Sequence, residues 1–220
     1  MTATPGWLAR VAAQVPEDDD WLGPRERAVL ADLRVARRRA DWRLGRWTAK
    51  SALRAWTGRP VAEVEVLAAA DGAPEAWAGE RRLPLSVSLS HRAGRAVCAV
   101  WDAPGVVGAD LELVEPRSGA FVREWLTVAE QAAVGAAADQ ALAANLAWTG
   151  KEAAAKVWRE GLRLDVRHAE VVPAPRGAPE WAPAAVRLGR LELRGWWWRD
   201  ATHVLAVMTD PPAGPPLRLP

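Results

Sequence analysis

Two short segments hold residue types whose spacing suits catalysis. In Gly108-Ala109-Asp110-Leu111-Glu112, the two-residue period of an extended chain puts Asp110 and Glu112 on one face. Two neighbouring carboxylates repel unless a cation lies between them, and such hard oxygen ligands suit Mg²⁺. Taken alone, the pair equally describes a strand edge with solvated acids. In Trp148-Thr149-Gly150-Lys151-Glu152-Ala153-Ala154-Ala155-Lys156, Glu152 and Lys156 are one helical turn apart, glutamate first. That order favours a helix ion pair, ordinarily worth only ~0.3–0.5 kcal/mol. The same geometry also serves a metal-binding Glu152 with Lys156 holding a phosphate. Ser90-His91 stands before a glycine turn, where the histidine is either structural or a charge-assisted donor to phosphate.

The elements that must position these residues are legible in outline. Leu30, Leu33, Ala40, Leu44, Trp47 and Leu53 recur at helical spacing and predict one or two helices over 24–56, closed by Gly58-Arg59-Pro60. A strand is predicted over 61–67 and a loop over 71–84. Residues 85–89 alternate, with Leu85, Val87 and Leu89 on one face and Ser86, Ser88 and Ser90 on the other. Strands over 96–101 and 106–113 follow, then helices over 127–138 and 139–160, the second stopped by Gly161. A hairpin of 187–198 with 202–209 turns near Arg199-Asp200. Val97-Cys98-Ala99-Val100 and Val204-Leu205-Ala206-Val207 echo each other about half a chain apart, which suggests two similar α+β halves.

Composition narrows the class. The chain has 220 residues, half of them hydrophobic and a quarter charged, which is globular rather than disordered. No apolar run is long enough to span a membrane; the longest small-residue stretch, 129–147, is broken by Glu130, Gln131, Asp139, Gln140 and Asn145. The single cysteine, Cys98, excludes an internal disulfide and, with no signal pattern at the start, predicts a cytoplasmic protein. A net charge of +2 conceals the cluster Arg34, Arg37, Arg38, Arg39, Arg43, Arg46 and Lys50. This is either a solvated helix face or a site for a polyanion, nucleic acid or phosphorylated small molecule. The fourteen tryptophans sit mostly among apolar neighbours and read as core.

Taken together, in this order and spacing, the two segments around Asp110 and Glu152 resemble the paired signature of the 4′-phosphopantetheinyl transferase superfamily. Ser90-His91 and Arg43-Leu44-Gly45-Arg46 are similar to the longer, monomeric Sfp-type branch. The resemblance runs from about residue 24 to 156 and implies an α+β pseudo-twofold fold of two similar halves. The halves expected are 1–105, with the basic helix and coenzyme A binding, and 106–220, with the metal and catalytic motifs. It further implies that Asp110, Glu112 and Glu152 hold Mg²⁺ against the pyrophosphate of coenzyme A. Ser90, His91, Lys151 and Lys156 fall on positions near its phosphates, Arg43 and Arg46 on the basic helix that holds the 3′-phosphate and adenine, and Arg25 on a further basic contact. One departure stands out: the family's Gly-Lys-Pro-like loop reads Gly72-Ala73-Pro74 here, without the cation.

The activity so implied is that of a holo-[acyl-carrier-protein] synthase. It moves 4′-phosphopantetheine from coenzyme A to a serine of an apo acyl or peptidyl carrier protein and releases 3′,5′-ADP. Glu152 and Lys156 serve the transfer, and Glu130 or a metal-bound water takes the serine proton. Glu130 has a second reading, since Thr127 followed by Glu130 is also a capping box. The partners implied are coenzyme A and a carrier protein, with neither nucleic acid nor membrane. Two rivals remain: a nucleic-acid-binding module built on the arginine helix, and an inactive coenzyme-A-binding relative.

Overall fold

A computed structural model describes residues 4–159, 165–174 and 181–220. Gly161, the expected helix stop, lies outside the described residues. The elements run β1 (Gly6–Val11), α1 (Pro24–Asp32), α2 (Ala36–Thr57), β2 (Glu65–Ala68), β3 (Pro74–Ala78), β4 (Arg81–Arg82), β5 (Leu85–Arg92), β6 (Arg95–Asp102) and β7 (Val106–Leu113). They continue with α3 (Gly119–Trp125), α4 (Val128–Ala136), α5 (Gln140–Trp158), β8 (Glu170–Pro173), β9 (Ala182–Leu188), β10 (Leu191–Arg199), β11 (His203–Asp210) and β12 (Leu217–Arg218). The class is α+β, as expected. Among the described residues no helix is long and apolar enough to cross a membrane.

Strand alternation builds the layers. One sheet has the order β12-β1-β6-β5 and the other β7-β11-β10-β9-β8, with β2-β3-β4 a small third sheet. On β6, Cys98 and Val100 face α2 with Leu8, Ala49 and Leu53. The alternate Val97, Ala99 and Trp101 meet Val107, Ala109, Leu111, Leu205 and Val207 between the sheets. On β11, Val204, Ala206 and Met208 turn outward under Ala153, Ala154 and Val157 of α5. The result is helix, sheet, sheet, helix, each sheet buried on both faces where the helices cover it.

At one edge of this sandwich β5 and β7 lie side by side without pairing their backbones. The serine face of β5 makes the join: Ser86 Oγ accepts from Val107 N at 3.0 Å and Ser88 Oγ from Ala109 N at 2.9 Å. Ser90 Oγ donates to Asp110 Oδ1 at 2.8 Å.

Both halves share a skeleton that charge alone did not reveal. In the first, Glu26 at the start of α1 is fully buried against Lys50 of α2, at 2.6 Å, and accepts from Val66 N of β2 at 2.8 Å. In the second, Glu130 at the start of α4 meets Lys151 of α5 at 2.7 Å and accepts from Val171 N of β8 at 2.8 Å. Each glutamate also accepts from the backbone N–H that opens its helix, Gly23 N and Thr127 N, and at Thr127 the side chain returns the bond to complete a capping box. The two lysines belong to a repeat visible in the sequence, Trp47-Thr48-Ala49-Lys50 and Trp148-Thr149-Gly150-Lys151. The strand echo is real but one residue out of register. Val97 faces the other sheet whereas Val204 faces α5, so the matching positions are Val97 and Leu205.

Several boundaries differ from the sequence reading. Gly6–Val11 is a strand because its apolar residues complete the first sheet, and 71–84 contains the β3–β4 hairpin rather than loop alone. The segment 187–198 is split by a turn at Gly189, whose φ is +57°, so that 182–188 pairs back on β10. The boundary at 105 is crossed at the end of the chain, where Leu217–Arg218 returns to pair in parallel with β1.

The helix α5 lies close over β7. A Cβ on Gly108 would stand 2.1 Å from the carbonyl oxygen of Ala153. Gly108→Ala is therefore expected to lower stability by about 1–3 kcal/mol or more, because backbone rather than a pliant side chain must yield. Urea denaturation of the two proteins checks it.

Candidate active site

Because Gly108 faces α5, the even-numbered residues of β7 share that face, and Asp110 and Glu112 come up beside Glu152 and Lys156. Asp110 is nearly buried, at 6 % exposed. Its Oδ1 accepts from Ser90 Oγ and from Lys156 Nζ, each at 2.8 Å, while its Oδ2 is buried without a partner. Lys156 Nζ also donates to Ala109 O at 2.8 Å and Leu89 O at 3.2 Å, so its three hydrogens plug the gap between β5 and β7.

Glu112 is held by Arg117 Nη2 at 3.0 Å and Arg92 Nε at 3.3 Å. Arg117 is itself oriented by the buried Asn145, whose Oδ1 lies 2.6 Å from its Nε. Burial raises the pKa of Glu112, and the Asp110 charge adds to it against the pull of Arg117 and Arg92. Glu152 is raised the same way, first by burial and then by Asp110, with Lys156 opposing. Three carboxylates thus share one field.

This cluster borders a cavity of about 1150 Å³ between the halves. Ser86 to Leu89 of β5 line it, with Glu152 and Lys156 of α5 and the 71–74 loop opposite. Trp125 and Trp148, stacked edge-to-face at 5.2 Å, form an aromatic wall. Arg82, Arg159 and Arg167, which the sequence reading missed, also line it, paired with Glu75, Asp71 and Asp165. Arg159 reaches across to Asp71 with a pair of bonds at 2.9 and 3.0 Å, so the loop without its family lysine faces an arginine from α5.

Other expected site residues stand elsewhere. Lys151 is fully buried, and its Nζ is spent on Glu130 and on Trp125 O at 2.8 Å; it cannot reach a phosphate in the cavity. Glu130, 4 % exposed, has Oε1 on Val171 N and Oε2 on Thr127 N and Lys151, so the capping reading describes it and the base reading does not. Arg43 does not line the cavity; it ties the 16–19 segment, donating to Pro16 O at 2.7 Å and Asp18 O at 2.8 Å and pairing with Asp19 at 2.9 Å. Arg46 is half-buried, stacked 4.9 Å from the Trp42 ring, and burial lowers its pKa. Arg25 is taken by Glu65 at 2.7 Å and Gly79 O at 2.7 Å. His91 is exposed and outside the cavity lining. Arg39 is bonded to Leu30 O at 2.6 Å, whereas Arg34, Arg37 and Arg38 stay exposed. The tryptophans are only partly core: Trp7, Trp21, Trp101 and Trp197 are buried, and Trp125 and Trp148 are not.

The acidic cluster can be tested against a metal on its own chemistry. An orphaned buried carboxylate oxygen and two carboxyls with raised pKa are features a hard cation relieves, and the donor set suits Mg²⁺. As they stand, Arg92, Arg117 and Lys156 carry that balance. Among the described residues no three His, Cys, Asp or Glu side chains close into a ready metal shell. The residues fit a cation through Asp110 Oδ2 and Glu152, with Glu112 held in reserve by its arginines.

Residues 106–207 match the family model ACPS, the 4′-phosphopantetheinyl transferase superfamily. The match spans β7 through most of β11 and so includes Asp110, Glu112, Glu152 and Lys156. Among solved structures, the holo-[acyl-carrier-protein] synthase (AcpS) of Thermotoga maritima is similar at 23 % identity, over 58 % of this chain and 76 % of that one, with a TM-score of 0.37. No curated protein matches.

The buried pair at Glu130 and Lys151 makes a separable prediction. Glu130→Gln alone should cost about 3–5 kcal/mol, because it strands a buried ammonium. Glu130→Gln with Lys151→Met should recover most of that loss. Chemical denaturation of the single and double variants, with turnover measured on the folded fraction, checks both the size and the sign.

Proposed function

We propose that this chain transfers 4′-phosphopantetheine from coenzyme A to a serine hydroxyl of an apo acyl or peptidyl carrier protein, with Mg²⁺, releasing 3′,5′-ADP. One observation carries the reading: Asp110, Glu112, Glu152 and Lys156 converge from β7 and α5, and Glu152 and Lys156 carry this cluster to the wall of a large cavity, within the segment the superfamily model matches. The two-half architecture in a single chain suits the Sfp-type branch, with both shores supplied by one molecule.

Phosphoryl transfer needs charge neutralisation and in-line positioning more than covalent help. The cavity is large enough for an extended nucleotide with a flexible arm, at about 1150 Å³. Arg82, Arg159 and Arg167 stand at its wall, each paired with a carboxylate (Glu75, Asp71 and Asp165) that a phosphate would have to displace, and the Trp125–Trp148 wall offers an apolar face to the pantetheine chain. Mg²⁺, when bound at Asp110 and Glu152, would neutralise pyrophosphate charge as it develops. Lys156 adds a fixed positive charge beside Asp110, and Ser90 and Asn145 keep Asp110 and Arg117 in place. Glu152 is the carboxylate of the acidic cluster that lines the cavity, and burial raises its pKa.

Incubation with coenzyme A, Mg²⁺ and a panel of apo carriers, followed by intact mass measurement, tests the activity directly. A carrier heavier by one phosphopantetheine, blocked by EDTA and restored by Mg²⁺, is expected; unmodified carriers across the panel would sink the reading. Glu152→Gln should abolish transfer. It should also raise the melting temperature of the metal-free protein. A glutamate with a raised folded-state pKa disfavours folding at neutral pH, and the neutral amide removes that penalty. Loss of activity with a lowered melting temperature would instead point to misfolding.

A further inference from the structure

The fold has two places where an edge of one sheet meets the other, and they are related by its internal symmetry. β6 corresponds to β11, so β1, which pairs with β6, corresponds to β7, and β5 to β10. The join of β5 to β7 is closed by serines and Lys156. The equivalent join of β1 to β10 is open, and a cavity of about 600 Å³ occupies it.

We infer that this second cavity is a binding site for a flat aromatic molecule carrying one negative charge. Its walls are three indoles: Trp7 of β1 meets Trp181 edge-on at 5.6 Å and Trp198 of β10 tilted at 5.8 Å. Val97, Leu111 and Leu205 make an apolar floor. Trp7 is 7 % exposed, and its Nε1–H has no acceptor among the described residues. The volume falls in the range of small-molecule pockets, which pair apolar walls with a few polar groups.

Charge decides the class. Four charged side chains line the cavity, and Arg95 and Asp200 cancel each other in a direct ion pair. Arg10 donates only to its neighbour Ala9 O, at 3.1 Å, and Arg218 lies 5.8 Å over the Trp7 ring. Neither meets a carboxylate among the described residues, so the rim holds two uncompensated cations around aromatic walls. A planar ring between the indoles with a carboxylate or sulfonate toward the arginines satisfies both features. The site is remote from the acidic cluster in chemistry but not in sequence: Leu111, on its floor, sits between Asp110 and Glu112 on the other face of β7.

The test is calorimetric titration of the full chain with 2-naphthoate, and with 2-naphthamide as the uncharged match. One equivalent of naphthoate should bind, with the amide at least tenfold weaker. Arg10→Glu with Arg218→Glu should weaken naphthoate at least tenfold. Arg82→Glu with Arg159→Glu, in the larger cavity, should leave it within twofold. Indole N–H signals in ¹⁵N spectra give a second measure that does not depend on any variant folding, with shifts confined to Trp7, Trp181 and Trp198. Absence of binding, equal affinity for the amide, equal loss in the larger-cavity variant, or shifts at Trp125 and Trp148 would each overturn the assignment.

Discussion

The contact on which the cleft depends is the approach of α5 to β7 across Gly108. With no side chain at that position the helix backbone comes down onto the strand, where any Cβ would meet Ala153 O at 2.1 Å. Only at that spacing does Lys156 reach past the strand surface to Ala109 O, Leu89 O and Asp110 together. The same spacing puts Glu152 into the field of Asp110, which with burial raises its pKa. The helix is fixed along its length as well. Lys151, one residue before Glu152, is locked to Glu130 in a site where neither charge meets water. A shift of α5 would break this pair and the seam at once.

The two halves share this skeleton without sharing the chemistry. The buried Glu26–Lys50 pair repeats Glu130–Lys151, and Thr48 bonds back to Leu44 O as Thr149 does to Asn145 O. The reactive positions diverge. Where α5 carries Glu152 and Lys156, the aligned positions of α2 carry Ser51 and Ala55. Opposite the strand β6, Leu8 fills the place that Asp110 takes opposite β11. The scaffold is therefore duplicated and the site single.

How much of this was legible follows from where each signal resides. The acidic pair and the Glu152–Lys156 turn were legible because strand and helix periodicity alone put them on defined faces. Lys151, Glu130 and Arg43 stand away from the cavity for a reason a sequence hides, since it shows charge but not burial, and each binds protein groups. The repeat Trp-Thr-x-Lys was the available clue that Lys151 has a structural twin in Lys50. Arg82, Arg159 and Arg167 carried no local pattern; they enter the cavity only because distant segments meet there. The β1 strand escaped notice because six mixed residues, Gly6–Val11, show no period until paired with β6.

The serine join between β5 and β7 also bears on how this chain behaves in a crowded solution. A bare strand edge offers a row of donors and acceptors to any other extended chain, the first step toward edge-to-edge aggregation. Here β7 gives two of its outward amides to hydroxyls, and Lys156 covers a carbonyl on each strand. The residue that brings charge to the cleft thus doubles as a guard on two edges. Replacing it would uncover those carbonyls at the mouth of an open cavity, exposing sticky strand where the protein now presents an ammonium.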